Sequence, residues 1–449
     1  MPADRPQPDT GTLRRPWPAR LPFYYGWVII ALAFVTIGLG VNARTAFTVL
    51  FPPILDDFGW SRGATAAAFS VGFGVSALCA PLFGVAFDRF GPRVVVPLGG
   101  LSVGLGLMLT AQITTPWQLY LAYGVLVVGG GVTISYIGHA AFLPRWFARR
   151  RGFAIGIAFA GVGVGALILL PGLQALIGAV GWRESCLAFG VLVVVGIIPA
   201  NLILQRHGPG QIGLQPDGGR ADDATDTRAA DHARDTIVDP AWANRDWTLG
   251  AALGTARFWW LALGMFSALY AWYAVQVHQN RFLIDVGFSA DTAAWALGLV
   301  GLTGVAGQIG VGALSDRFGR EWAWTAACLG YVLCYGALLA LPAAPHGALV
   351  GLVAASQGLL GYGIAPLYAA IPSELFQGRH YGAIFGCVSL SATLGGATGP
   401  WASGQLFDHQ GTYATAWTVA GGFALLSVLC IWMAAPRKVR RVAGRVSRT

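Results

Sequence analysis

Charge is scarce in this chain: aspartate, glutamate, lysine and arginine make up 11% of its 449 residues, against about 25% in a soluble domain. Too little is present to cover a water-facing surface. All twenty acids fall in tails, loops or the ends of apolar stretches, with none near the middle of one. A cation carrier, or a carboxylate proton relay, needs such a group, so the pattern disfavours both. The six cysteines (Cys79, Cys186, Cys328, Cys334, Cys387, Cys430) lie inside apolar stretches without metal-ligand spacing, which leaves packing as their role. Gly161-Val-Gly163-Val-Gly165 looks like part of a nucleotide loop, but it lies within an apolar stretch with no strand before it. No metal cluster, ATP-binding motif or nucleophile–base arrangement is found. Neither an enzyme nor a cofactor is expected.

What is present is length and apolarity. Hydrophobic residues are 55% of the chain and mean hydropathy is +0.60. A helix needs about 20 apolar residues to cross a bilayer, and backbone groups there must be satisfied internally. Twelve stretches qualify: 24 to 51, 64 to 87, 94 to 113, 117 to 143, 152 to 180, 184 to 205, 257 to 284, 290 to 314, 322 to 342, 347 to 371, 381 to 405 and 412 to 434. The 63 glycines suit close helix contact in lipid. The reading is an all-α membrane protein, with a cytoplasmic tail over 1–22 and an uncleaved first helix.

Placing both termini in the cytoplasm puts 25 of the 29 Lys and Arg residues on that side, leaving only Arg44, Arg62, Arg183 and Arg281. This obeys the positive-inside bias and implies a multi-pass protein of the cytoplasmic membrane. The basic residues behind the net charge of +9 are dispersed over many loops, which argues against nucleic acid as a partner.

The chain repeats itself. At an offset of 228, Phe58-Gly59-Trp60-Ser61 falls on Val286-Gly287-Phe288-Ser289, and Gly84 through Gly91 on Gly312 through Gly319. Two six-helix halves follow, 23–205 and 257–435, with a basic tail over 436–449. Residues 206–256 carry eight aspartates and read as a solvated cytoplasmic linker. Its end, Asp246 to Leu253, fits a short interfacial helix anchored by Trp247.

The repeated motif is Gly84-x-x-x-Asp88-Arg89-x-Gly91-x-Arg93, then Gly312-x-x-x-Asp316-Arg317-x-Gly319-Arg320. In it the chain resembles the major facilitator superfamily. Gating is expected of Asp88, Arg89, Arg93, Asp316, Arg317 and Arg320, through carboxylate–arginine pairs at helix ends that hold while the cytoplasmic mouth is closed; setting topology is the plainer alternative. Tyr24-Tyr25-Gly26-Trp27-Val28, Phe51-Pro52-Pro53, Phe58 to Arg62, Trp146-Phe147, Arg149 to Gly152 and Phe376 to Gly382 resemble the monocarboxylate transporters and oxalate/formate-type exchangers. The resemblance implies a monomer that moves a small-molecule substrate, a mono- or dicarboxylate, by alternating access.

Candidate substrate-binding residues follow. Arg44, about 30 Å along the first helix at 1.5 Å per residue, suits a bidentate grip on a carboxylate; the resemblance places a basic residue within one position of it. His278, Arg281 and Asp285 share a helical face. There Arg281 can meet substrate or pair with Asp285, and His278 can couple protons or serve as a bonded structural group. Tyr136, His139, Gln357 and Tyr273 are further lining candidates, with Tyr270, Tyr362 and Tyr368. Where monocarboxylate transporters carry an acid and an arginine four residues apart in helix 8, this chain has Gly304 and Gln308; Gln308 donates hydrogen bonds but no charge. Export of hydrophobic or neutral compounds therefore stays open, as does a non-transporting receptor or assembly factor.

Overall fold

The computed structural model describes residues 22–140, 142–147, 151–216, 237–376 and 380–440. The N-terminal tail, the centre of the linker, Arg149, Arg150, Arg379, the last nine residues and the Asp88 side chain lie outside the described set. Long helical segments run from Gly26–Phe58 (α1), Arg62–Phe90 (α2), Pro92–Thr110 (α3), Pro116–Ile134 (α4), Arg151–Val180 (α5) and Trp182–Leu204 (α6). After the linker come Ala256–Asp285 (α7), Ala290–Phe318 (α8), Arg320–Ala340 (α9), Gly347–Leu375 (α10), Tyr381–Gln410 (α11) and Ala414–Ala434 (α12). Among the described residues, eleven segments are long and apolar enough to cross a membrane; α2, of 29 residues, is the remaining long helix described.

Their outer faces fit hydrocarbon. Leu101, Leu105 and Leu109 on α3 are exposed at four-residue intervals, as are Leu425, Leu429 and Met433 on α12. Such stripes would be costly in water. Two large buried cores form, one centred on α1 to α6 and one on α7 to α12.

Two equivalent helices are irregular. In α4 a π-helical stretch, Tyr120–Gly129, gives way to a 3-10 turn, Gly130–Ile134, and Ser135 is extended before Tyr136 restarts the helix. In α10 the π stretch is Ser356–Leu360 and the 3-10 turn Gly361–Gly363. Interrupted helices in matching positions of the two halves mark transporter binding sites, because they aim side chains and backbone at a cavity. Tyr136 and Tyr362 sit at these interruptions.

Trp247 departs from its expected place. It is buried, packs edge-on against Phe376 at 5.2 Å between ring centroids, and donates its indole N–H to the Trp242 carbonyl. With that bond satisfied inside the protein, the side chain has no need of the membrane interface. The short helices Pro240–Ala243 and Leu249–Leu253 tie the linker's end to the second half: the Trp242 indole donates to the Leu375 carbonyl at 2.7 Å.

Candidate functional site

The halves meet along α2 with α11 and α5 with α8. Over Gly395–Gly404, seven of the ten α11 residues are buried, whereas over 381–394 only Ile384, Val388 and Ala392 are, a single face. The seam is therefore packed at the Gly404 end and parted toward Tyr381. Glycine permits the packing. A Cβ on Gly404 would lie 2.6 Å from the Gly63 Cα, and one on Gly163 would lie 2.6 Å from the Gly301 carbonyl oxygen.

Ions hold the packed end. Arg62 at the start of α2 reaches Asp285 at the end of α7 at 2.6 Å, and Arg281 binds Asp285 at 2.9 Å and Asp56 at 2.5 Å. Asp408 of α11 accepts the Arg62 and Gly63 backbone N–H groups at 2.9 and 2.7 Å. A carboxylate of one half thus caps a helix N-terminus of the other, where the helix dipole and free N–H groups favour an anion. Arg62 also donates to the Tyr413 hydroxyl and lies 3.6 Å above the Phe407 ring centroid. Asp56, Arg62, Asp408 and Tyr413 were not among the expected site residues.

Beneath this cluster is Arg44. Its helix is interrupted at Ala46 and continues through Pro52 and Pro53. The guanidinium is half-buried, 5.9 Å from the Phe73 ring centroid in its own half and 5.7 Å from that of Tyr273 in the other. Among the described residues it has no ion pair. The Tyr136 and Tyr362 hydroxyls lie within electrostatic range of it. Gln308 lies beside the Tyr136 hydroxyl across the halves, and Gln276 beside that of Tyr362. The Trp272 indole donates to the Gln276 side chain at 2.8 Å, and its ring lies 4.5 Å from that of Tyr362. Arg44, Tyr136, Tyr273 and Gln308 therefore gather at one place between the halves. Phe73, Trp272 and Gln276 join them unforeseen, concealed in the sequence among other apolar and polar helix residues.

The other candidates lie elsewhere. Arg281, placed by sequence beside substrate or Asp285, is committed to Asp285 and Asp56. His278 is fully buried with both ring nitrogens bonded, Nδ1 to the Tyr413 hydroxyl at 2.9 Å and Nε2 to the Pro400 carbonyl at 2.8 Å, so neither is left for a ligand. His139 is buried with Nδ1 on the Ser135 carbonyl at 3.0 Å. Gln357 is buried, and its amide has no hydrogen-bond partner among the described residues. At the parted end of the second half, Arg320 bridges Asp316 and Glu374, both at 2.7 Å, and Arg317 lies over Phe318. In the first half Arg93 donates to the Leu202 carbonyl at 2.8 Å and Arg89 lies over Phe90. Glu374 is a member of this cluster that the motif did not point to. A cleft of about 640 Å³ beside Arg320 is lined by both charge signs; two of its arginines, Arg320 and Arg437, bind its own Glu374 and Glu321, which makes it a junction of helix ends.

Comparison with known proteins bears on this arrangement. The family model for the Major Facilitator Superfamily matches residues 30–371. Monocarboxylate transporter 13 of Rattus norvegicus is 27% identical over 407 residues, covering 89% of this chain and 87% of that protein. Monocarboxylate transporter 11 of Homo sapiens is 27% identical over 448 residues, covering 96% and 87%. Among solved structures, a bacterial homolog of the human lysosomal transporter Spinster, in an inward-facing and occupied conformation, superposes with a TM-score of 0.67 at 17% identity, covering 95% of this chain and 99% of that one. A mutant of the nucleoside transporter NupG gives 0.69 at 12% identity, covering 92% and 100%.

Proposed function

The chain belongs to the Major Facilitator Superfamily, and on that premise we propose that it carries a small organic anion, a mono- or dicarboxylate, by alternating access. It is a multi-pass membrane transporter similar along most of its length to monocarboxylate transporters. In this reading α2 is the twelfth span, both termini are cytoplasmic, the membrane is the cytoplasmic one and the protein works as a monomer. The packed Asp285 end then faces outward and the parted Asp316 end faces the cytoplasm.

The observation that carries the reading is Arg44. An intramembrane cation between the two halves, without a carboxylate partner among the described residues, is expensive unless a ligand completes it. A carboxylate does so through two parallel hydrogen bonds. The packed α2–α11 seam on one side and the parted one on the other support a rocking motion about that point. The bonds to both His278 nitrogens support exchange or facilitated diffusion over proton coupling through that residue.

Full-length protein in liposomes, preloaded with pyruvate, lactate, oxalate or succinate, should exchange at least one labelled acid, and Arg44→Gln should abolish that exchange. No flux of any carboxylate, or flux indifferent to Arg44→Gln, would overturn the proposal. The aromatic lining and the uncharged Gln308 favour one second reading, a carrier of neutral amphipathic compounds; retained activity in Arg44→Gln is its signature.

A further inference from the structure

The surroundings of Arg44 say more than that an anion binds. Six aromatic rings gather about it, drawn from both halves. Phe73 and Tyr273 lie under the guanidinium, Tyr136 and Tyr362 are within its electrostatic range, Trp272 packs on Tyr362 at 4.5 Å and Phe159 packs edge-on against Tyr136 at 4.7 Å. Tyr136, Phe159 and Trp272 remain part-exposed, so protein packing does not seal these three rings. The polar atoms supplied with them are neutral: the Gln308 and Gln276 amides and the tyrosine hydroxyls.

Counting charge narrows the ligand. The nearest arginines toward the packed end, Arg62 and Arg281, are held by Asp285 and Asp56. Among the described residues, the Arg44 guanidinium is the one left in this region to neutralise the cargo. A second carboxylate on the same ligand would be taken out of water with no cation to meet it, a penalty of several kcal/mol per ion. A flat apolar body, in contrast, would meet ring faces and edges. Aromatic pairs of this kind are favourable beyond their area, and the edge of Tyr136 carries a hydroxyl that can bond a carbonyl or hydroxyl substituent.

Resting on the reading of this chain as a carboxylate carrier, we propose that the Arg44 chamber selects aromatic monocarboxylates, the carboxylate on Arg44 and the ring among Tyr136, Trp272, Tyr273 and Tyr362, and that it rejects dicarboxylates. Small aliphatic monoanions satisfy the arginine but leave the rings unfilled. They bind more weakly for that reason.

The test is counterflow in liposomes containing the full chain, with labelled phenylpyruvate, pyruvate and succinate at equal, subsaturating concentration. The expected order is phenylpyruvate above pyruvate by about ten-fold, the effect of roughly 1.4 kcal/mol, with succinate at the level of protein-free vesicles. Tyr273→Leu in one half and Phe73→Leu in the other should each lower the phenylpyruvate-to-pyruvate ratio at least three-fold. Pyruvate or succinate carried as well as phenylpyruvate, in an Arg44-dependent manner, would overturn the selectivity and leave the carboxylate reading standing. If no acid is exchanged, or Arg44→Gln has no effect, both fail together. Should one leucine variant misfold, the other decides; a ratio unchanged in a folded variant counts against the proposal.

Discussion

Consider Asp285→Asn. Asp285 accepts two charge-assisted bonds, from Arg62 Nη1 at 2.6 Å and from Arg281 Nε at 2.9 Å. Only the first crosses between halves. The second lies within α7 and survives whether the halves are together or apart, so it does not bias that equilibrium; only a difference between two states can. The Arg62 side chain is 12% exposed and that of Asp285 29%, a partly buried setting in which a hydrogen bond to a charged group is worth about 1.5–3 kcal/mol. Its loss should raise the ratio of separated to closed populations about ten- to hundred-fold at 1.4 kcal/mol per decade. Asp56→Asn gives the contrast. The Asp56 side chain is 63% exposed, and an exposed ion pair contributes at most about 1 kcal/mol, or roughly five-fold. Spin labels at Val180 and His409, exposed positions at the ends of α5 and α11, would report the separation as a distance distribution in lipid nanodiscs. The reasoning fails if Asp285→Asn leaves that distribution unchanged, or if Asp56→Asn shifts it as far.

Three further outcomes follow from the same geometry. Arg44→Lys should retain a fraction of the exchange that Arg44→Gln loses, because an ammonium keeps the charge but not the bidentate fork; equal activity of the two variants in counterflow would contradict a carboxylate grip. Gly163→Val would push a Cβ to within 2.4 Å of the Val305 side chain and 2.6 Å of the Gly301 oxygen. Overpacking of that kind costs about 1–3 kcal/mol, so the Val180–His409 distance should lengthen. His278→Phe leaves the buried Tyr413 hydroxyl and Pro400 carbonyl short of a partner, at about 1–3 kcal/mol. A lower melting temperature with an unchanged pH profile of exchange is expected; a displaced pH profile would give the histidine a proton-handling role.

Local signals in the sequence carried the architecture, and pairings across long separations did not. Apolar length is a property of single segments, so the long helices could be read directly, and Arg44 stood out because a lone cation in an apolar stretch demands a reason. The ionic cluster at the packed end could not be read this way: Arg62, Asp285 and Asp408 lie at unremarkable helix ends, and only the folded seam brings them together. The ring around Arg44 was partly within reach, because the repeat itself contains it. An offset of 228 carries Thr48 onto Gln276 and Arg44 onto Trp272, and the Thr48 hydroxyl donates to the Gln276 carbonyl at 2.7 Å. Residues that the repeat relates and that touch one another must lie near the axis relating the halves. Arg44 and Trp272, each one turn away on its own helix, then belong beside that axis, a cation in one half answered by an indole in the other. A carrier whose halves rock about this axis moves the walls of the chamber more than its centre, so a ligand held there can keep its guanidinium contact while the opening changes sides.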